Sequence, residues 1–146
     1  MGMKKLANKL AKCIMYHYRA HGVHINLSLY RFFPESQRFI YQIELLPGTK
    51  VDTIFKRASD VGAILGMSLF YPFKDDTGRG IYLAVCKQNI ADNRLLKMFR
   101  TPEFLNTSSG LILALGYDVM ERMFFVDLKQ IDHAMYVGAP RSGKSV

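Results

Sequence analysis

Residues 39–55 read Phe39-Ile40-Tyr41-Gln42-Ile43-Glu44-Leu45-Leu46-Pro47-Gly48-Thr49-Lys50-Val51-Asp52-Thr53-Ile54-Phe55. The period of this stretch changes at Pro47-Gly48. Before it, Phe39, Tyr41, Ile43 and Leu45 alternate with Ile40, Gln42, Glu44 and Leu46, as in a strand. After it, Val51, Ile54, Phe55, Ala58, Val61 and Leu65 recur at helical spacing until Gly66, as in an amphipathic helix closed by glycine. Thr49-x-x-Asp52 has the spacing of a capping box and predicts how that helix opens.

On the amino-terminal side, Ile25 to Phe33 shows a similar alternation and Pro34-Glu35-Ser36 reads as a turn, so a β-hairpin is expected. Residues 3–20 precede it as a helix whose docking stripe is expected to be Leu6, Leu10, Ile14 and Tyr18 with Cys13. Lys4, Lys5, Lys9, Lys12 and Arg19 occupy its other faces, and Gly22 stops it. On the carboxyl-terminal side, Ser68 to Phe73 and Gly80 to Cys86 flank Asp75-Asp76-Thr77-Gly78, a second hairpin. The order is α-β-β-α-β-β. It predicts an α+β fold with a small mixed or antiparallel sheet and covering helices.

Residues 87–110 change character. A short helix is expected at Asn93 to Phe99 and broken by Pro102, and Asn106 to Gly110 has linker composition. A division into 1–110 and 111–146 is therefore expected. Three short strands follow, Leu111 to Leu115, Arg122 to Leu128 and Ala134 to Val137.

The last of these runs into Gly138-Ala139-Pro140-Arg141-Ser142-Gly143-Lys144-Ser145, which fits G-x-x-x-x-G-K-[ST], the Walker A phosphate loop. A loop that wraps phosphate turns its backbone N–H groups inward, and glycine accepts the backbone angles this requires. The lysine sets a cation on the β- and γ-phosphates, and the following hydroxyl ligates Mg²⁺. The chain stops one residue after Ser145, so the sequence predicts a segment truncated at this motif. The helix behind the loop and the acidic Walker B strand would lie beyond it. No catalytic residue is expected within the segment, and it alone is not expected to hydrolyse ATP.

Composition fits this reading. The chain has 146 residues, 49% apolar and 22% charged, which excludes an intrinsically disordered chain. Lys and Arg number 20 against 12 Asp and Glu, a net charge of +8 that attracts polyanions such as nucleic acid or an anionic membrane face. The longest uncharged run, Phe104 to Tyr117, is shorter than the ~20 apolar residues of a membrane span. Cys13 and Cys86 are too few and too far apart for a disulfide framework, and a reduced compartment is the simpler reading.

Two segments carry a resemblance beyond the generic phosphate loop. Leu113-Ala114-Leu115-Gly116-Tyr117-Asp118, then Val126-Asp127-Leu128, then His133 and the loop ending in Ser145-Val146, resemble the FtsK/SpoIIIE family of DNA translocases. Tyr41 to Val51, with Ile54, is similar to the first segment of the same motor's small α subdomain. The resemblance covers roughly residues 22–146. It implies an ATP-driven, ring-forming motor, usually hexameric, that threads double-stranded DNA. Residues 1–110 would be the α subdomain and 111–146 the first strands of a RecA-like P-loop domain. Gly138, Gly143 and the backbone of Ser142 would cradle phosphate, Lys144 would bind the β- and γ-phosphates, and Ser145 would hold Mg²⁺. Cytoplasmic placement is implied, with any membrane association of the parent made by segments outside this chain. The loop departs from the family's usual Thr-Thr-Gly-Ser at Ala139-Pro140-Arg141-Ser142, and Asp132 stands where proline is usual. A mobile-element or conjugation ATPase fits such a loop as well as a chromosome-segregating one. Two other functions stay open: a non-catalytic assembly or DNA-binding module, and part of a protein-secretion ATPase.

Other constellations are weaker. Cys13, His17, His21 and His24 have spacings that a metal could use, though Cys13 lies on the apolar stripe. Tyr30, Phe32, Phe39, Tyr41, Phe70, Tyr71 and Tyr82, interleaved with Arg31 and Arg38, are either core or a base-stacking surface. Asp75-Asp76 reads as turn chemistry and His133 as structural.

Overall fold

The computed structural model describes residues 2–87, 94–106, 110–131 and 133. The chain divides into two compact units, residues 1–91 and 92–146. The division falls inside the stretch of changed composition and ahead of the expected 110/111 boundary.

In the first unit, α1 (Met3–Ala20) precedes the hairpin β1 (Ile25–Phe33) and β2 (Arg38–Leu45). Then follow α2 (Val51–Ile64) and the second hairpin, β3 (Leu69–Lys74) and β4 (Ile81–Cys86). The four strands form one antiparallel sheet in the order β1-β2-β4-β3. Pairing β2 with β4 places Phe39, Tyr41 and Ile43 opposite Val85, Leu83 and Ile81. All six are buried on the side covered by the helices. Burying one sheet face under two amphipathic helices is the α+β arrangement that the sequence pattern predicts.

Three local features of this unit differ from the sequence expectations. The buried face of α1 is Ala7, Ala11, Ile14 and Tyr18, while Leu6 and Cys13 are exposed. Alanines bring the helix close enough for the buried Tyr41 hydroxyl to donate to the Ala7 carbonyl at 2.9 Å. Thr49 does not cap α2, because its hydroxyl donates to the His24 carbonyl at 2.8 Å and accepts from the His24 N–H at 3.0 Å. Lys50 is the cap residue, with no side-chain bond, and Asp52 remains in the first turn, where its charge suits the helix dipole. The alternation along β1 slips at a bulge between Leu29 and Arg31, after which Phe32 instead of Arg31 packs against the core.

In the second unit, Pro102 opens a helical turn as well as ending one. After α3 (Arg94–Met98), α4 (Pro102–Leu105) starts behind Thr101, whose hydroxyl accepts from the Phe104 N–H. Proline at the first helical position has no N–H to leave unsatisfied. The hairpin β5 (Ile112–Tyr117) and β6 (Met123–Asp127) follows, antiparallel. The expected third strand at Ala134 to Val137 lies outside the described residues. Among the described residues no helix is long and apolar enough to cross a membrane.

Candidate nucleotide-binding site

The described structure that precedes the expected phosphate-binding residues is the β5–β6 hairpin. Ala114 and Gly116 flank a bulge in β5, and Gly116 has φ +136°, a conformation that glycine alone adopts without strain. Asp118 then organises the turn. Its carboxylate accepts from the Met120 N–H at 2.8 Å, the Arg122 N–H at 2.8 Å and the Arg122 Nε at 2.7 Å. Partial burial pushes this carboxyl up, but the Arg122 N–H, the Arg122 guanidinium and the Met120 N–H together hold it below the ordinary carboxylate range. The far end of the hairpin is closed by the Leu128 N–H on the Leu111 carbonyl at 2.9 Å. Asp127 accepts from the Lys129 N–H at 3.0 Å and starts a single 3-10 turn over Leu128–Gln130. Each half of the Leu-Ala-Leu-Gly-x-Asp and Val-Asp-Leu pattern thus has a local structural job in the hairpin.

His133, three residues past that turn, is exposed. Asp132 and the expected phosphate-binding residues Gly138, Ala139, Pro140, Arg141, Ser142, Gly143, Lys144 and Ser145 lie outside the described residues. Their donor set suits a magnesium nucleotide: the Lys144 ammonium for phosphate charge, the Ser145 hydroxyl for a hard cation, and glycines that leave backbone N–H groups accessible.

The remaining candidates separate cleanly. Among the described residues no three metal-ligating side chains gather, so Cys13, His17, His21 and His24 do not converge. The aromatic set divides between the two sheet faces. Phe39 and Tyr41 lie in the core with Phe32 and Phe70 packed against it. Tyr30, Tyr71 and Tyr82 lie on the opposite face, joined by Phe73, with ring centroids 5.0–6.4 Å apart. Arg31 sits 4.9 Å over the Phe33 ring. Asp75 is a turn residue, accepting from the Thr77 hydroxyl at 2.8 Å and the Arg79 N–H at 3.0 Å. The Thr77 bond, with the backbone donors, holds its carboxyl below the usual range.

Sequence reasoning missed one surface. Leu6 and Cys13, expected in the docking stripe, instead line an open groove beside the sheet, and Leu10 both packs against the core and borders that groove. The signal was present: α1 carries an apolar arc wide enough to include Ala7 and Ala11 as well as Leu6 and Leu10, more than one sheet contact covers.

The FtsK/SpoIIIE family model matches residues 94–146, within the second unit. "DNA translocase FtsK 2" of Neisseria meningitidis is 30% identical over 109 residues, 73% of this chain and 11% of its own length. "DNA translocase SftA" of Bacillus subtilis is 29% identical over 134 residues, 90% of this chain and 13% of its own. The chain belongs to the FtsK/SpoIIIE family. "DNA translocase FtsK" of Pseudomonas syringae pv. tomato is likewise 30% identical over 109 residues, or 73% of this chain. The chain spans about an eighth of the length of these FtsK and SftA relatives, 11–13%.

Proposed function

We propose that this chain serves an ATP-driven translocase of double-stranded DNA, contributing a ring-forming α+β subdomain and the phosphate-binding half of the ATP site. The observation that carries this is the Gly138-x-x-x-x-Gly143-Lys144-Ser145 pattern inside the stretch matched by the family model. Relatives with the printed name DNA translocase support DNA as the partner. The subdomain boundary is proposed within residues 87–110, where both the composition shift and the division between compact units fall.

In this reading the backbone N–H groups at Gly138, Ser142 and Gly143 surround phosphate oxygens, with the glycines leaving room for close approach. Pro140 contributes no N–H, so the donors come from its neighbours. Lys144 neutralises charge on the β- and γ-phosphates and the Ser145 hydroxyl ligates Mg²⁺. When bound, Mg·ATP supplies the free energy for DNA movement through a homo-oligomeric ring, proposed to be hexameric and to act at the cytoplasmic side. Ala139-Pro140-Arg141 is compatible with a mobile-element or conjugation motor of the family as well as with a chromosome-segregating one.

Calorimetric titration of Mg·ATP into a folded full-length protein that carries this segment with the rest of the ATP site tests the nucleotide assignment. Binding is expected, and Lys144→Ala is expected to weaken it at least tenfold, by analogy with the loss of one charge-assisted contact. A folded wild-type protein that takes up no heat, or a Lys144→Ala variant with unchanged affinity, overturns it.

A further inference from the structure

The α1 helix presents more apolar surface than the sheet covers. Met3 and Leu6 stand 46% and 50% exposed. With Leu10 and Cys13 they form one side of a groove of about 700 Å³, within the ~300–1,000 Å³ of ligand-receiving clefts. Its floor is recessed, since Phe39 and Cys86 line it at only 8% and 6% exposure. Leu65 and Met67, at the end of α2, complete it.

The charge lining the groove has one sign. Lys9 and Lys87 are its only charged lining residues, and among the described residues neither lies within ion-pair distance of a carboxylate. The rest of α1 adds Lys4, Lys5, Lys12 and Arg19 and no acidic residue.

We propose that this groove receives an amphipathic helix from a partner protein, its apolar ridge flanked by Asp or Glu. Residues 3–13 of α1 give the groove about 15 Å of length at ~1.5 Å per residue, which matches the i, i+4, i+7 anchors of a docked helix. Anchoring side chains reach a recessed floor, whereas a bilayer surface meets only the rim. Carboxylates beside the ridge meet Lys9 and Lys87, whereas a second copy brings its own +8 charge against them. Met3 and Met67 supply adaptable contacts at the groove mouth. This inference does not rest on the nucleotide reading.

The test uses the whole chain and a fluorescein-labelled 14-residue helix with leucine at the a and d positions and glutamate flanking them. Its twin carries lysine for every glutamate. Anisotropy is expected to show micromolar binding of the acidic peptide and at least tenfold weaker binding of the basic one. Leu6→Glu, and Lys9→Glu with Lys87→Glu, are each expected to weaken the acidic peptide at least tenfold. Asn8→Ala, at an exposed position on another face of the same helix, is expected to change it less than twofold. Location is read independently from Cys13, exposed at the groove while Cys86 is buried: saturating peptide is expected to slow its alkylation at least fivefold. That footprint on the wild-type chain decides the matter should a variant fail to fold. Equal affinity for the two peptides, or unchanged Cys13 reactivity, overturns the proposal. So does Leu6→Glu-sensitive sedimentation with phosphatidylglycerol vesicles in the absence of peptide binding, which assigns the face to membrane. Cys13 protection that rises with protein concentration alone assigns it to a second copy.

Discussion

The Tyr41 hydroxyl donates to the Ala7 carbonyl at 2.9 Å, and the Tyr18 hydroxyl to the Ile54 carbonyl at 3.2 Å, so each helix is pinned by a buried phenol. Burial pushes both phenols far above the ordinary tyrosine value of 10.0. Their contribution is whole below that value, because the phenol is neutral in folded and unfolded chains alike. Above it the unfolded chain releases protons that the folded chain retains, so stability falls as pH rises past about 10. Tyr41→Phe is expected to cost about 1 kcal/mol at neutral pH and to flatten the alkaline limb by one proton, measured by urea unfolding from pH 8 to 11. An unchanged limb would show that Tyr41 ionises while folded. Asp118 works with the opposite sign. Its depressed carboxyl stabilises the β5–β6 turn above the unfolded value of 3.8, and that contribution is lost as pH falls through the lowered folded value. Asp118→Asn keeps one acceptor but removes the charge facing Arg122. It is expected to cost about 1 kcal/mol at neutral pH and to erase the turn's share of acid sensitivity, followed by amide exchange at Met120 and Arg122.

At the scale of elements, Gly62 decides how closely α2 lies on the sheet. A Cβ there would stand 2.7 Å from the Phe70 Cβ and 3.1 Å from its Cγ, atoms that cannot swing aside. Gly62→Ala gains about 1 kcal/mol of helix propensity against an overpacking cost of about 1–3 kcal/mol. A lower urea midpoint is therefore expected, and a higher one would mean that α2 can lift from β3 freely. The same intimacy explains what sequence could and could not convey. The order and period of α1, both hairpins and α2 are legible, because alternation and helical spacing record which face is buried. The α1 face was legible only in part: Ile14 and Tyr18 are buried as expected, but Ala7 and Ala11 lie at its centre in place of Leu6, because only the alanines allow close approach. Thr49 had the spacing of a cap, yet the His24 backbone is a nearer partner in three dimensions. Pro102 was read as a breaker because its role as an opener depends on Thr101 behind it. For the candidate site, the Walker pattern is written in consecutive residues and is visible without a structure. The groove joins residues from α1, three strands and the end of α2, and no linear pattern announces such a meeting.

At the scale of the whole molecule, the +8 charge makes an electrostatic prediction that the translocase reading must meet. Each phosphate contacted releases condensed counterion, so the logarithm of affinity falls against the logarithm of salt with a slope near −0.9 per contact. The α1 lysines are the densest basic surface among the described residues, with Lys4, Lys5 and Lys12 all exposed. If α1 lies along the duplex, a labelled 30-base-pair DNA should bind with a slope of roughly −3 or steeper between 50 and 300 mM KCl. Lys4→Gln, Lys5→Gln and Lys12→Gln should each reduce that slope by about one, without dependence on DNA sequence. A steep slope unmoved by these changes places the duplex on another face of the chain. Absence of binding at the lowest salt removes DNA contact from this segment and leaves it the assembly role.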